Sequence, residues 1–157
     1  MSRRRRATKR KTQPDPVYSS EVVTKFINRV MLDGKKSIAR KIVYSALESF
    51  SKKVQAEDPI AAFDQAMENA MPTLEVKSRR IGGATYQVPI EIAPERRYSM
   101  AMKWIIMNAR QKVGRNMIDG LAMELADCFN NQGSTIKKKD DTHRMAEANR
   151  AFAHYKW

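Results

Sequence analysis

Cysteine is almost absent from this chain. Cys128 is the only one among 157 residues, which excludes an internal disulfide and any cysteine-rich zinc cluster. It is expected to be a small residue packed between helices. Histidine is nearly as scarce: His143 and His154 lie eleven positions apart with no cysteine near them, too few ligands for a metal site. Imidazole at such positions is commonly solvated or turned toward a polyanion. No apolar run approaches membrane-spanning length. The basic start MSRRRRATKRK has no apolar segment behind it, so neither a secretory leader nor an amphipathic transit segment is supported. The expected compartment is the cytosol, or an organelle that makes the protein itself.

Residues for covalent or acid–base chemistry are missing as well. Catalysis needs a nucleophile with its base, paired carboxylates or a metal cluster, gathered in one pocket. Asp140-Asp141 stands beside Lys137-Lys138-Lys139, and Glu57-Asp58 opens a helix; both acidic pairs have local electrostatic explanations. Gly82-Gly83 lacks the spacing to lysine and hydroxyl that a phosphate-cradling loop requires. No catalytic residue, metal ligand or cofactor is expected.

Acid is lacking in two particular places. The first twelve residues hold Arg3, Arg4, Arg5, Arg6, Lys9, Arg10 and Lys11 with no acid to answer them, seven of the thirteen excess positive charges. Repulsion at this density opposes compaction, so residues 1–16 are expected to form a basic extension that orders only on a polyanion. Gln13-Pro14-Asp15-Pro16 marks its boundary with a single folded domain over 17–157. The span from Lys103 to Arg115 contains Lys103, Arg110, Lys112 and Arg115 and again no acid.

What is present is mostly helical periodicity. Hydrophobic residues make up 42% of the chain, enough to bury one core in a domain of this length. Val22, Val23, Phe26, Ile27, Val30 and Met31 recur at three and four after Ser19-Ser20, and Asp33-Gly34 ends that helix. Lys35-Lys36 are expected in the following loop, before a helix with Ile38, Ile42, Val43, Ala46, Leu47 and Phe50 on one stripe. Asp58-Pro59 is a helix start by chemistry, with Ile60, Phe63, Ala66, Met67 and Ala70 inward and Met71-Pro72 as its stop. Pro94 opens a long helix whose buried face is Tyr98, Ala101, Met102, Ile105, Ile106 and Ala109, with Lys103, Arg110 and Lys112 outside and Gly114 beyond its end. A fifth helix is expected from about Asn116 to Asn131, ended by Gly133. A sixth starts near Thr135 and runs through Met145 and Ala148. The ten methionines fall mostly on inward stripes, as gap-fillers.

Between the third and fourth helices the period changes to two. In EVKSRRIGGATYQVPIEI, Val76, Ser78 and Arg80 alternate with Lys77, Arg79 and Ile81, then Tyr86, Val88, Ile90 and Ile92 alternate with Thr85, Gln87 and Glu91. Gly82-Gly83 can supply the two positive φ angles of a tight turn. A hairpin over about 74–92 follows, its first arm basic and long enough to reach roughly 23 Å from the body.

A net charge of +13 with cations at element ends and loops points to a polyanion. Lys35 and Lys36, Lys77 with Arg79 and Arg80, Arg96 and Arg97, then Lys103, Arg110, Lys112 and Arg115 join the N-terminal cations as candidate phosphate contacts. RNA is favoured over DNA, because no helix-turn-helix, finger or basic zipper is present, and an arginine-rich tail with a hairpin suits irregular folded RNA. A nucleoid-type DNA-binding protein is the alternative, and a nuclease a distant third.

Three stretches carry a specific likeness: DGKKS at 33–37, VKSRRIGGATYQVP at 76–89 and HRMAEANRAFAHYKW at 143–157. With them the chain resembles, from Pro14 to Trp157, the family of the seventh protein of the small ribosomal subunit in its bacterial and organellar form. That resemblance implies a mainly α fold, a six-helix bundle with an extended β-hairpin between helices 3 and 4. It implies direct binding to small-subunit ribosomal RNA, nucleation of the head domain, and a hairpin beside the exit-site transfer RNA. Arg79, Arg80, Gly82 and Gly83 would then be the transfer-RNA-proximal positions. Neighbouring head and platform ribosomal proteins are the implied partners, with the chain end near Tyr155 among the contacts. No membrane and no homo-oligomer are expected, and the location is the ribosome of the cytoplasm or of a plastid stroma.

Overall fold

The structure, a computed structural model, describes residue 8 and residues 11–155. The elements run α1 (Glu21–Val30), α2 (Lys36–Val54), α3 (Pro59–Ala70), β1 (Leu74–Ile81), β2 (Ala84–Glu91), α4 (Pro94–Gln111), α5 (Met117–Phe129) and α6 (Gly133–Ala148), followed by a short 3-10 segment (Arg150–Tyr155). This is the mainly helical arrangement with one hairpin that the periodicity predicts. Arg3, Arg4, Arg5, Arg6, Lys9, Arg10 and Trp157 lie outside the described residues.

Local chemistry sets the helix starts. The Ser20 hydroxyl accepts from the Val23 amide at 3.4 Å, the Asp58 carboxylate from Ile60 at 2.8 Å, and the Asn116 side chain from Asp119 at 2.8 Å, each satisfying an amide the helix leaves unpaired. Asp33 and Gly34, both with positive φ, turn the chain between α1 and α2. Lys36 is the first residue of α2 rather than part of the loop, with Lys35 at the N-cap. The α2 stripe is rotated from expectation: Ala39, Val43, Ala46, Leu47 and Phe50 are buried, while Ile38 is 53% exposed. Ala39 stands four before Val43 and takes the inward place of the first turn.

α5 is the central helix, packed against α2, α3 and α4. Leu121, Ala122, Leu125 and Cys128 are fully buried, and Phe129 meets the buried Phe50 edge-on at 6.3 Å between ring centroids. Phe26 and Phe63 join α1 to α3 in the same way at 5.3 Å. Burying each such ring is worth about 1.5–3 kcal/mol. Gly120 lets α5 lie close on α4, since a Cβ there would stand 2.8 Å from the Ala109 carbonyl oxygen.

The α5–α6 junction differs from expectation. Asn131, with φ 55, takes the left-handed position that ends α5, a conformation asparagine tolerates better than most residues. Gly133 instead begins α6. Burial first, then the charge of Glu124, pushes the Cys128 thiol up to about 12, so it stays protonated and unreactive.

The hairpin is antiparallel, with Ile81 opposite Ala84 across a two-residue turn. Gly82 and Gly83 have φ +55 and +93, as the turn requires. It is less free an arm than its length implies. β1 packs on α6 and β2 on the 3-10 segment; Tyr86 lies 5.2 Å from the ring of Phe152 and 5.3 Å from that of Tyr155. Because Tyr86 sits opposite Arg79, this packing reaches to within a few residues of the bend, and only the tip projects.

Candidate nucleic-acid interface

Arg96, Lys103 and Arg110 are spaced at seven along α4, and all three are exposed. Seven residues are almost two full helical turns, so the three cations form one stripe about 21 Å long. α1 adds a fourth. Arg29, in its last turn, donates through Nη1 to the Ser99 carbonyl at 2.8 Å and to the Ser99 hydroxyl at 3.1 Å, which places its guanidinium between the levels of Arg96 and Lys103. Arg29, Lys103 and Arg110 then line one shallow hollow of about 410 Å³ together with Ile106, Met107 and Gln111. Arg110 also reaches the Val30 carbonyl at 3.2 Å and borders a second hollow whose far rim is Arg115. Among the described residues no acid lines either one.

The other cations expected as contacts lie at the start of α2 and along the hairpin and its base. Lys35 and Lys36 are exposed at the start of α2, a few residues from Leu32 on the wall of the second hollow. Arg96 is tied to the base of the hairpin, its Nε and Nη2 meeting the buried Glu75 carboxylate at 3.3 and 3.1 Å; Lys77 is 3.7 Å from the same carboxylate. Arg97 donates to the Ile92 carbonyl at 2.7 Å, which fixes the entry to α4. Arg79, Arg80, Gly82 and Gly83 are exposed near or at the hairpin tip, with Arg79 on the face of Tyr86 and Arg80 on the opposite face.

Lys112 is placed differently from the outward position its helix periodicity predicts. Its ammonium is 2.9 Å from Glu124 Oε2 and 3.0 Å from Asp127 Oδ2, with the lysine side chain only 20% exposed and that of Glu124 at 0%. Burial pulls the Lys112 pKa down, but hydrogen bonds and charge from Glu124 and Asp127 outweigh it and leave the value raised. The other oxygen, Glu124 Oε1, accepts from the Thr135 amide at 3.1 Å and its hydroxyl at 2.7 Å, and Asn108 donates to that hydroxyl at 2.9 Å. One polar network therefore locks α4, α5 and α6 together immediately before the loop that carries Arg115.

Arg29 is the contributor that sequence reasoning missed. Its partner, Ser99, lies 70 residues away, and no local pattern reports that pairing. The seven-residue repeat of Arg96, Lys103 and Arg110 was the available signal for the stripe. The tail enters the body beside α2: buried Asp15 accepts from Tyr44 at 2.8 Å and from the Val17 and Tyr18 amides. Lys11 is exposed just before this anchor. Among the described residues no group of three or more His, Cys, Asp or Glu could hold a metal, and no helix is long and apolar enough to cross a membrane.

Comparison with known proteins is specific. The family described as ribosomal protein S7p/S5e matches residues 2–150. The small ribosomal subunit protein uS7 of Protochlamydia amoebophila (strain UWE25) is 70% identical over 157 residues, all of both chains. Its counterparts in Chlamydia caviae and Chlamydia trachomatis serovar D are 66% and 65% identical over the same full length.

Proposed function

This chain belongs to the ribosomal protein S7p/S5e family, whose members are structural components of the small ribosomal subunit, and from that membership we propose that it binds small-subunit ribosomal RNA directly and nucleates the head domain. The observation that carries the reading is the stripe of Arg96, Lys103 and Arg110 along α4, acid-free in sequence from Lys103 onward, widened by Arg29 and continued by Arg115. A rigid row of cations tracks a phosphate backbone and gains affinity by releasing its counterions. Lys35, Lys36, Lys77, Arg97 and the tail cations Arg3, Arg4, Arg5, Arg6, Lys9, Arg10 and Lys11 extend the same contact. Lys112 serves it indirectly, by holding the loop that presents Arg115.

The exposed tip, Arg79 to Gly83, lies near the exit-site transfer RNA, and neighbouring head and platform proteins complete the surroundings. The chain acts as a single copy in the ribosome. A salt titration against a folded head-domain ribosomal RNA fragment and a DNA duplex tests this. Tighter binding to the RNA at equal salt is expected, with six phosphate contacts giving a log–log slope of roughly −4. Lys103→Ala with Arg115→Ala reduces the slope by about 1.4, at ~0.7 per contact on single strands. Preferential duplex binding, or an unchanged slope in the double variant, would overturn the reading. Arg79→Ala with Arg80→Ala keeps the fold by circular dichroism and weakens exit-site transfer RNA contact more than ribosomal RNA binding; equal loss of both would refute the tip assignment.

A further inference from the structure

The second hollow has a composition that phosphate contact alone does not require. It encloses about 330 Å³ and is lined by Val30, Leu32, Ile42, Ala109 and Met117 on the walls and floor, with Arg110 and Arg115 on the rim. That volume is at the lower end of the ~300–1,000 Å³ of small-ligand clefts. Leu32 is 59% exposed, a large apolar side chain at the surface of a hollow that Arg110 and Arg115 also line. Arg110 is held in place by the Val30 carbonyl at 3.2 Å and keeps further N–H donors for a ligand. Arg115 is exposed, and no hydrogen bond or ion pair to it is found among the described residues.

The occupant must therefore offer apolar surface and negative charge together. A basic segment, including this chain's own N-terminal extension, is repelled by the rim. A purely apolar protein side chain would cover the floor and leave Arg115 desolvated without a partner, which costs free energy. A nucleotide extruded from a single strand meets both demands, since an extruded base is held between aromatic or apolar side chains or on a guanidinium plane, and it carries phosphates on either side. We propose that this hollow seats one unstacked nucleotide of single-stranded RNA, its base on Leu32, Ile42 and Met117 and its flanking phosphates at Arg110 and Arg115. The assignment rests on the RNA-binding reading above and adds to it a base-holding site beside the phosphate-tracking stripe.

The test uses the full chain with p-benzoylphenylalanine at position 32, photo-crosslinked to the head-domain ribosomal RNA fragment and, separately, in assembled small subunits. Crosslinks to one unpaired nucleotide are expected in both. Leu32→Ser, at an exposed position outside the core, should lower RNA affinity about five- to tenfold, less than the full burial of a leucine side chain gives, and leave the salt slope unchanged because no cation is removed. Crosslinks spread over paired nucleotides, crosslinks to a neighbouring protein in the assembled subunit, or a Leu32→Ser effect below twofold would each remove the site while leaving RNA binding by the stripe intact. Failure of the unsubstituted chain to bind the RNA would remove both readings together.

Discussion

Lys112→Met is the most informative single change outside the surface cations. The substitution keeps an unbranched chain of similar length and deletes the ammonium that stands 2.9 Å from a fully buried Glu124 oxygen. Breaking a buried ion pair by removing one partner costs about 3–5 kcal/mol. Lys112 retains 20% of its exposure, and Thr135 still donates twice to Oε1, which places the expected loss near the lower limit, about 3 kcal/mol. In a domain of this size that corresponds to a fall in Tm of about 6–12 °C. Thermal and urea unfolding of Lys112→Met, Glu124→Gln and the double variant measure it, and the double variant should be more stable than Lys112→Met because no uncompensated carboxylate remains buried. The pH dependence has a definite sign. The Lys112 pKa is raised on folding, so its contribution is complete below the ordinary lysine value of about 10.4 and disappears as pH rises through the higher folded value. A loss under ~1 kcal/mol for Lys112→Met, or strict additivity in the cycle, would refute the claim that this pair locks α4 to α5.

Gly120→Ala should destabilise the fold by about 1–3 kcal/mol through overpacking, because its Cβ would press on the Ala109 backbone carbonyl at 2.8 Å; a stabilised variant in chemical unfolding would show that α4 and α5 can separate freely. His143 gives a response to acid. Its Nε2 accepts from the Thr73 amide at 3.0 Å, and burial, followed by the nearby Lys139 charge, lowers its pKa against the opposing pull of Asp140. The neutral ring thus supports the hairpin base above the unfolded value near 6.5, and that support is lost as pH falls through the lower folded value. Amide exchange at Thr73 and Ile92 should accelerate on acidification in the native chain and be pH-independent, after correction for intrinsic exchange, in His143→Gln. Identical acid profiles in the two proteins would exclude the histidine.

Much of the fold was legible because its signals are local. Asp58-Pro59, Asn116 and Ser20 announce helix starts within one turn of themselves, and Gly82-Gly83 places a hairpin turn without reference to anything distant. The errors fall where two elements compete for one position. Ile38 satisfies the apolar spacing of α2 as well as Ala39 does, but the packed helix turns Ala39 inward at 3% exposure and leaves Ile38 at 53%. Gly133 takes the positive φ expected of it, +88, but it stands first in α6 rather than ending α5, and a Cβ there would lie 2.7 Å from the Asp127 Cβ, so both backbone and contact favour glycine.

The sequence by itself pointed to a polyanion, through a charge of +13 with two acid-free stretches, and it determined the helices and the hairpin through period and punctuation. Only the tertiary structure decided which cations lie together. Arg29 joins the α4 stripe through Ser99, 70 residues away, whereas Lys112, from the same acid-free stretch as Lys103 and Arg110, is taken inward by Glu124 and Asp127. The reason is physical: net charge is a sum over composition, but the free energy of each charge depends on which groups lie within a few ångströms of it and how much water remains. Those neighbours are supplied by distant segments of the chain only when it packs.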